Sequence, residues 1–314
     1  MSDQINRLAQ ADSGLKLAYV GMETDLIFTQ GIDLPGFASY TLLATEAGRM
    51  RLRGYYERLL ALGASHDVGV ILESPTWVAN KSRGAALGHS EDQLAQFNKD
   101  AIAQMREVRD AANQRDVILS ANIGPRDDAY APEAQMTAQE AHLYHNRQIA
   151  VFAETDVDVI SGYTLANPAE AIGIVRAARD HALPVVISFT VETDGNLPTG
   201  ISLAEAISQV DGATDHYAAY FMINCAHPAH FADILTDAAW VQRLGGVIAN
   251  ASRCSHAELD EATTLDAGDP AELGRDLAKI AARLPHIRVL GGCCGTDMRH
   301  MDEIAKAVTG RHPA

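Results

Sequence analysis

A repeated alternation of short apolar runs and longer amphipathic segments constrains the fold of this chain more than any other feature. Each run is rich in valine and isoleucine and lacks strict polar alternation, which is typical of parallel strands buried on both faces. The longer segments, among them Glu46–Leu62 and Glu91–Gln114, have the spacing of helices. Asn167 and Asp269 each precede Pro-Ala-Glu, a typical helix start. The eight apolar runs are Leu17–Met22, Val68–Leu72, Val117–Ala121, Val157–Ser161, Val185–Thr190, Ala218–Asn224, Gly246–Ala249 and Val289–Gly292.

Eight strand-then-helix units predict an α/β protein with the architecture of a (β/α)8 TIM barrel. The usual size of such a barrel, about 250 residues, fits within this chain. No low-complexity or Pro/Ser-rich linker divides the sequence, so we expect one domain over residues 1–314. A doubly wound open sheet is the alternative, but no Gly-x-Gly-x-x-Gly follows the first apolar run.

Composition and charge limit the classes of partner. The net charge is −16 and no cluster of Lys and Arg exists to neutralise phosphates, so we expect no nucleic-acid binding. No apolar run approaches the roughly 20 residues that span a bilayer, and Met1–Leu8 lacks a signal-peptide pattern. Four cysteines are too few for a disulfide framework, so a reducing cytoplasm is the expected location. The sequence does not decide whether the chain forms a homo-oligomer.

Three of the four cysteines follow apolar runs that become neighbours in a barrel. Cys225 ends the sixth run, while Cys293 and Cys294 end the eighth between glycines that allow the backbone to bend. Active sites of such barrels lie at the carboxyl ends of the strands, so these residues are expected to meet at one rim. Three converging thiolates predict a zinc site with its fourth position open. Asn250, after the seventh run, is placed at the same rim, and Cys254 is interpreted as a loop thiol.

A zinc ion with three protein ligands and an open position is typical of a catalytic site. A substrate thiol that enters such a position loses its proton and becomes a nucleophile at neutral pH. Three thiolates keep the bound sulfur electron-rich, which favours alkyl transfer to a thiol over hydrolysis.

The same residues resemble a known family. Asn224-Cys225 and Gly291-Gly-Cys-Cys-Gly-Thr296 are similar to the zinc signature of the homocysteine S-methyltransferase family. The segment from Tyr19 to Leu26 resembles the first-strand motif of that family, and Val70–Thr76 resembles its second unit. Further matches follow in order at Ala121–Pro125, Tyr144–Gln148 and Ile187–Thr190.

The resemblance implies a (β/α)8 barrel that methylates a zinc-bound thiol. It identifies Cys225, Cys293 and Cys294 as zinc ligands and Asn250 as a displaceable oxygen ligand in the absence of substrate. The chain has no added module for folate or corrinoid, so a small sulfonium or quaternary amine is the expected methyl donor. Its positive charge would be attracted to aromatic faces.

Two positions depart from the family. Its first-strand aspartate corresponds to Tyr19, and its Glu-Thr near the fourth strand corresponds to Tyr163-Thr164. The family acids help to bind the amino group of homocysteine, so other acids are expected to take over that contact. The candidates for substrate binding are Tyr19, Glu23, Thr24, Asp25, Glu73, Tyr163 and Thr164.

We therefore expect a zinc-dependent S-methyltransferase that activates a small-molecule thiol, expected to be homocysteine, in methionine biosynthesis. One alternative is a methyltransferase of the same fold that acts on another thiol or uses another methylated donor. The other is a zinc-binding barrel without turnover.

Overall fold

Eight parallel strands close into a barrel in the order in which they occur along the chain. The computed structural model describes residues 14–112, 114, 116–130 and 135–311, and the stretch Met1–Leu8 lies outside them. Pairing of the first strand with both the second and the last closes the barrel, as the eight units predicted. The strands are β1 (Lys16–Ala18), β2 (Gly69–Glu73), β3 (Val117–Ile123), β4 (Val159–Leu165), β5 (Val185–Phe189), β6 (Phe221–Asn224), β7 (Leu244–Ala249) and β8 (Val289–Gly292).

The helices lie between successive strands and after the last one. Asn167 and Asp269 accept hydrogen bonds from the first turns of their helices, so both predicted helix starts are confirmed. The helices of the described residues, apart from single short turns, are α1 (Glu46–His66), α2 (Lys81–Ala86), α3 (Glu91–Ala112), α4 (Ala138–Phe152), α5 (Pro168–Asp180), α6 (Leu203–Thr214), α7 (Pro228–Phe231), α8 (His256–Asp260), α9 (Pro270–Arg283) and α10 (Met298–Thr309).

Alternate residues of the strands fill the barrel interior. The side chains of Ile71, Ile118, Val159 and Val186 belong to one buried cluster that also contains Cys225 and Cys293. The other face of each strand packs against the helices in a larger core. The apolar runs are therefore continuous because both faces are buried, as expected for parallel strands.

Two strands differ from the predicted runs where the site begins. β1 ends at Ala18 and not at Met22, because Tyr19 has a φ of 37° and a helical turn begins at Met22. β4 runs on to Leu165, and its pairing with β5 is irregular between Gly162 and Leu165. Tyr163 and Thr164 therefore lie within this irregular end of β4, where Thr164 has a φ of 58°.

No helix within the described ranges combines the length and the apolar character that a bilayer crossing demands.

Candidate metal centre

Three cysteine sulfurs converge at the carboxyl end of the barrel. Cys225 directly follows β6, and Cys293-Cys294 directly follow β8, while β7 lies between these strands. The three Sγ atoms lie within 4.8 Å of one another. The Sγ atoms of Cys225 and Cys294 are 3.9 Å apart. The fold thus brings together the three thiols that the sequence placed at one rim.

Local backbone conformation aims the sulfurs at one point. The backbone N–H of Cys293 donates to the carbonyl of Ala249 at 2.7 Å, which continues the pairing of β8 with β7. The chain then turns, and both the N–H and the hydroxyl of Thr296 donate hydrogen bonds to the carbonyl of Cys293. Gly295 has a φ of 79° in this turn, in agreement with the glycine-dependent bend predicted from the sequence. Cys225 itself has a φ of 54°, a left-handed conformation that the sequence did not indicate.

The environment of the sulfurs favours a shared negative charge. Cys225 and Cys293 are buried and Cys294 is half-buried. Hydrogen bonds from the thiols of Cys293 and Cys294 hold the pKa of Cys225 well below its usual value, against the effect of burial. The same interactions raise the pKa of Cys293 and of Cys294. Without a metal, ionisation of Cys225 is therefore favoured over ionisation of Cys293 or Cys294.

The cluster fits a zinc ion. A zinc–sulfur bond of about 2.3 Å in a tetrahedral site separates two sulfur ligands by about 3.8 Å. The 3.9 Å between Cys225 and Cys294 matches that separation without rearrangement. Thiolate ligands select zinc among the common divalent metals, and three of them leave one coordination position open.

Asn250 supplies a further oxygen at this rim. Its side-chain N–H donates to the carbonyl of Cys225 at 3.0 Å, which fixes the amide beside the cluster. Its Oδ1 is buried and has no hydrogen-bond partner among the residues that the structure describes. A buried amide oxygen without a partner is costly, and a bound cation would relieve that cost.

Asn224 supports the cluster from β6, and the sequence analysis named it in the zinc signature without assigning it a role. Its Oδ1 accepts from the backbone N–H of Thr164 at 2.9 Å and from the Ser188 hydroxyl at 2.7 Å. Its Nδ2 donates to the Thr164 hydroxyl at 2.8 Å. The hydroxyl of Thr164 in turn lowers the pKa of Cys225 by hydrogen bonding. A chain of hydrogen bonds therefore links β4 and β5 to the first cysteine.

Tyr130 and His256 lie beside Cys225, although no motif in the sequence had pointed to Tyr130. His256 Nε2 lies 2.6 Å from the carbonyl oxygen of Cys225 and 2.7 Å from the Tyr130 hydroxyl. The two rings are 3.9 Å apart, at an angle of 32°. Tyr130 comes from the loop after β3, and His256 is the first residue of α8, after β7. Cys254 is exposed, as expected of a loop thiol, and lies outside the sulfur cluster.

The structure brings four of the seven predicted substrate-binding residues together as two pairs. The Tyr19 hydroxyl donates to Glu23, and the Tyr163 hydroxyl donates to Glu73 Oε1 at 3.0 Å. The two tyrosine rings have centroids 6.0 Å apart, so the pairs adjoin. The position of Tyr163 in the cysteine-containing interior cluster places them beside the metal centre.

Thr24, Asp25 and Thr164 make other contacts. Thr24 Oγ1 accepts from the backbone N–H of Gly295 at 3.1 Å, so it supports the turn after β8. Asp25 accepts hydrogen bonds from Gln30 and Tyr55. Thr164 is bound to Asn224. These three side chains are engaged within the protein, and the predicted role of each in substrate binding remains a prediction.

Comparison with known proteins agrees with this geometry. The sequence model of the homocysteine S-methyltransferase family matches residues 20–308. The oxidized form of the homocysteine methyltransferase MmuM from Escherichia coli superposes with a TM-score of 0.74 at 18% identity, over 99% of this chain and 100% of that one. Its metallated form gives 0.71 at 17% identity, over 98% and 100%. A search of curated protein sequences returned no significant match.

The structural likeness shows the shared fold, and the match to the family model shows more. That family is zinc-dependent, and the cluster of Cys225, Cys293 and Cys294 fits this cofactor. A thiol substrate and a methyl donor are implied by membership. Because the match extends over most of the chain, this protein belongs to the homocysteine S-methyltransferase family.

Proposed function

We propose that this protein transfers a methyl group from a small cationic donor to a thiol, with homocysteine as acceptor and methionine as product. The observation that carries the proposal is the convergence of three cysteine sulfurs within 4.8 Å at the carboxyl end of the barrel. Cys225, Cys293 and Cys294 would hold zinc, with Asn250 Oδ1 as an oxygen ligand that a substrate thiol displaces. The four cysteines are free thiols, which suits a reducing compartment, so we place the reaction in the cytoplasm, within methionine biosynthesis.

Zinc bound there supplies Lewis acidity that lowers the pKa of a substrate thiol. The protein's own residues supply the position of the acceptor. Asn250 and His256 both hydrogen-bond the carbonyl of Cys225, and Thr164 contacts its sulfur. The burial of Cys225 and Cys293, beside the tilted rings of Tyr130 and His256, limits the access of water to the sulfur cluster. Restricted orientation and exclusion of water together favour an in-line attack.

The proposed methyl transfer is a nucleophilic substitution at the methyl carbon. A new sulfur–carbon bond forms between the acceptor thiolate and the donor methyl group. The bond between that methyl group and the donor sulfur or nitrogen breaks, and its electron pair stays with the donor atom. The donor thereby loses its positive charge and leaves as a neutral thioether or amine. No oxidant or reductant is needed.

The test is methyl transfer from donors with an isotope-labelled methyl group. Zinc-loaded protein is incubated with homocysteine and, in separate reactions, with S-methylmethionine, S-adenosylmethionine or a quaternary amine, and labelled methionine is measured by mass spectrometry. We expect labelled methionine with one of these donors, its loss after treatment with a chelator, and its return with zinc. A zinc-loaded protein that methylates neither homocysteine nor any other thiol with these donors would favour a non-catalytic barrel.

A further inference from the structure

A cleft of about 330 Å³ opens next to the end of β7, and the proposed methyl transfer does not use it. One of its walls comes from the chain between Ala251 and Glu258, and the other comes from the chain between Asp266 and Glu272, where α9 begins. The ring of His227 also lines the cleft. Its described lining includes none of the three proposed zinc ligands, so the cleft is separate from the sulfur cluster. Its volume is within the range of small-molecule sites.

His227 presents a fixed hydrogen-bond donor to this cleft. The side chain is only 2% exposed, and its Nδ1 accepts from the backbone N–H of Ala229 at 3.1 Å. An imidazole nitrogen that accepts a hydrogen bond carries no proton, so the proton of the neutral ring lies on Nε2. Within the part of the chain that the structure describes, Nε2 has no hydrogen-bond partner. The N–H at Nε2 is therefore available to an acceptor bound in the cleft.

Arg253 indicates that this acceptor is an anion. Its guanidinium lines the same cleft, and its Nη2 contacts Glu272 Oε1 at 2.6 Å. Nε and Nη1 have no side-chain partner among the described residues. A guanidinium together with a neutral N–H suits a carboxylate, because each carboxylate oxygen can accept a hydrogen bond from one of them.

The other charges of the cleft favour a positive group in the same ligand. Glu258, Asp269 and Glu272 each have one oxygen engaged within the protein, while the second oxygen has no hydrogen-bond partner in the described ranges. Together with Asp266 they set four carboxylates against the single guanidinium of Arg253. The lining therefore has a net negative charge, which disfavours a ligand that is only an anion.

We propose that this cleft is a second binding site, for a free amino acid in its zwitterionic form. The carboxylate of the ligand accepts from His227 Nε2 and from Arg253, and its ammonium group donates to the free carboxylate oxygens of the walls. An amine without a carboxylate leaves the N–H of His227 without an acceptor. A carboxylate without an amine meets the negative charge of the lining with nothing to offset it. The site does not depend on zinc or on the proposed methyl transfer.

Cys254 provides a direct measure of occupancy, because this exposed thiol lines the cleft. Zinc-loaded protein is treated with iodoacetamide in the presence of each standard amino acid that lacks sulfur, at millimolar concentration. Mass spectrometry then follows modification of the peptide that contains Cys254. We expect at least one amino acid to slow this alkylation about fivefold, as occupancy by mass action requires. Its amide and its analogue without the amine should need about 10-fold higher concentrations for the same protection.

His227→Ser tests the assigned donor. The serine hydroxyl is a good acceptor at a helix start, so it can replace Nδ1 in the contact with Ala229, but it has no group that replaces Nε2. The concentration of amino acid that gives half protection should rise about 10-fold. His142→Ser is the matched control, since His142 lies on α4, contacts Asp180 and is not part of the cleft. It should leave protection unchanged.

Arg253→Gln supplies a second variant on an exposed side chain, and it decides the matter if His227→Ser does not fold. Without the guanidinium, protection by the amino acid should fall to the level given by its amide. Circular dichroism and zinc content establish that each variant is folded and loaded. The assignment is overturned if no amino acid slows alkylation of Cys254, if the analogues protect as well as the amino acid, or if the folded variants are protected as well as wild type. Zinc binding and methyl transfer to thiols would stand in each of these cases.

Discussion

The two sides of the barrel mouth are built from different chemistry. The side formed by β6, β7 and β8 carries three sulfurs and a buried amide oxygen, held by turns with left-handed backbone at Cys225 and Gly295. The side formed by β1, β2 and β4 carries phenols paired with buried carboxylates. Soft ligands at fixed positions suit a metal ion, whereas hydroxyls and carboxylates suit an organic molecule. The sulfur side therefore carries the ligands of the proposed metal, and the opposite side carries polar groups suited to an organic molecule.

The largest effect is expected from Cys294→Ala, which tests the sulfur side alone. Removal of one of three ligands should lower zinc affinity by more than about 100-fold, beyond the usual loss from an outer-shell change. Methyl transfer should fall with it, because activation of the thiol depends on the metal. Zinc is measured by atomic spectrometry after dialysis against a chelator of known affinity.

Cys254→Ala is the matched control for that experiment. Cys254 is exposed and outside the sulfur cluster, so its removal should leave zinc content unchanged. Full zinc occupancy in Cys294→Ala under the same conditions would contradict the three-thiolate site. The side formed by β6, β7 and β8 would then have no chemical claim to metal binding over the opposite side.

A smaller effect, on stability, is expected on the other side of the mouth. Burial raises the pKa of Glu73 from 4.5 to about 7, so the native state holds a proton that the unfolded chain releases between these values. Stability should therefore fall as pH rises through that window, because the native state binds more protons there. Across the whole window the free energy of unfolding should fall by about 3 kcal/mol.

Glu73→Gln should remove this contribution. The free energy of unfolding is measured in urea with a chelator present, from pH 4 to pH 8. The value for the variant should increase relative to that of wild type as pH rises. Glu140→Gln is the control: hydrogen bonds from Thr137 lower the pKa of Glu140 from its usual 4.5, so its contribution to stability changes below that pH, and the difference between this variant and wild type should stay nearly constant from about pH 5 to pH 8. A constant difference between Glu73→Gln and wild type across this range would show that Glu73 is not held in a proton-retaining environment.

The sequence predicted the sulfur side better than the tyrosine side. Cysteines after the sixth and eighth apolar runs come close together once eight strands close in order. Their positions at one rim of the barrel can therefore be predicted from the order of the strands. The two tyrosine–glutamate pairs could not be predicted, because they depend on which hydroxyls reach each carboxylate in the folded barrel. The left-handed backbone at Tyr19, Thr164 and Cys225 could not be predicted either, since none of these residue types favours that conformation.

The smallest of these effects concerns the contact between the two sides. Thr164 lies on β4 next to Tyr163, yet its hydroxyl accepts from Asn224 and lowers the pKa of Cys225. Thr164→Val keeps the β-branched shape at this left-handed position and removes only the hydroxyl. We expect zinc affinity to fall about 10-fold, the low end for loss of an outer-shell partner.

Thr214→Val separates that effect from general destabilisation. Thr214 is buried like Thr164, but its hydroxyl donates to the carbonyl of Val210 within its own helix, α6. Loss of a buried hydroxyl should lower unfolding free energy by about 1 kcal/mol in either variant, so only the change in zinc affinity distinguishes them. Competition with a chromogenic chelator measures that affinity. Equal zinc affinity in Thr164→Val and Thr214→Val would mean that the two sides of the mouth act independently, and that the sulfur cluster needs no support from β4.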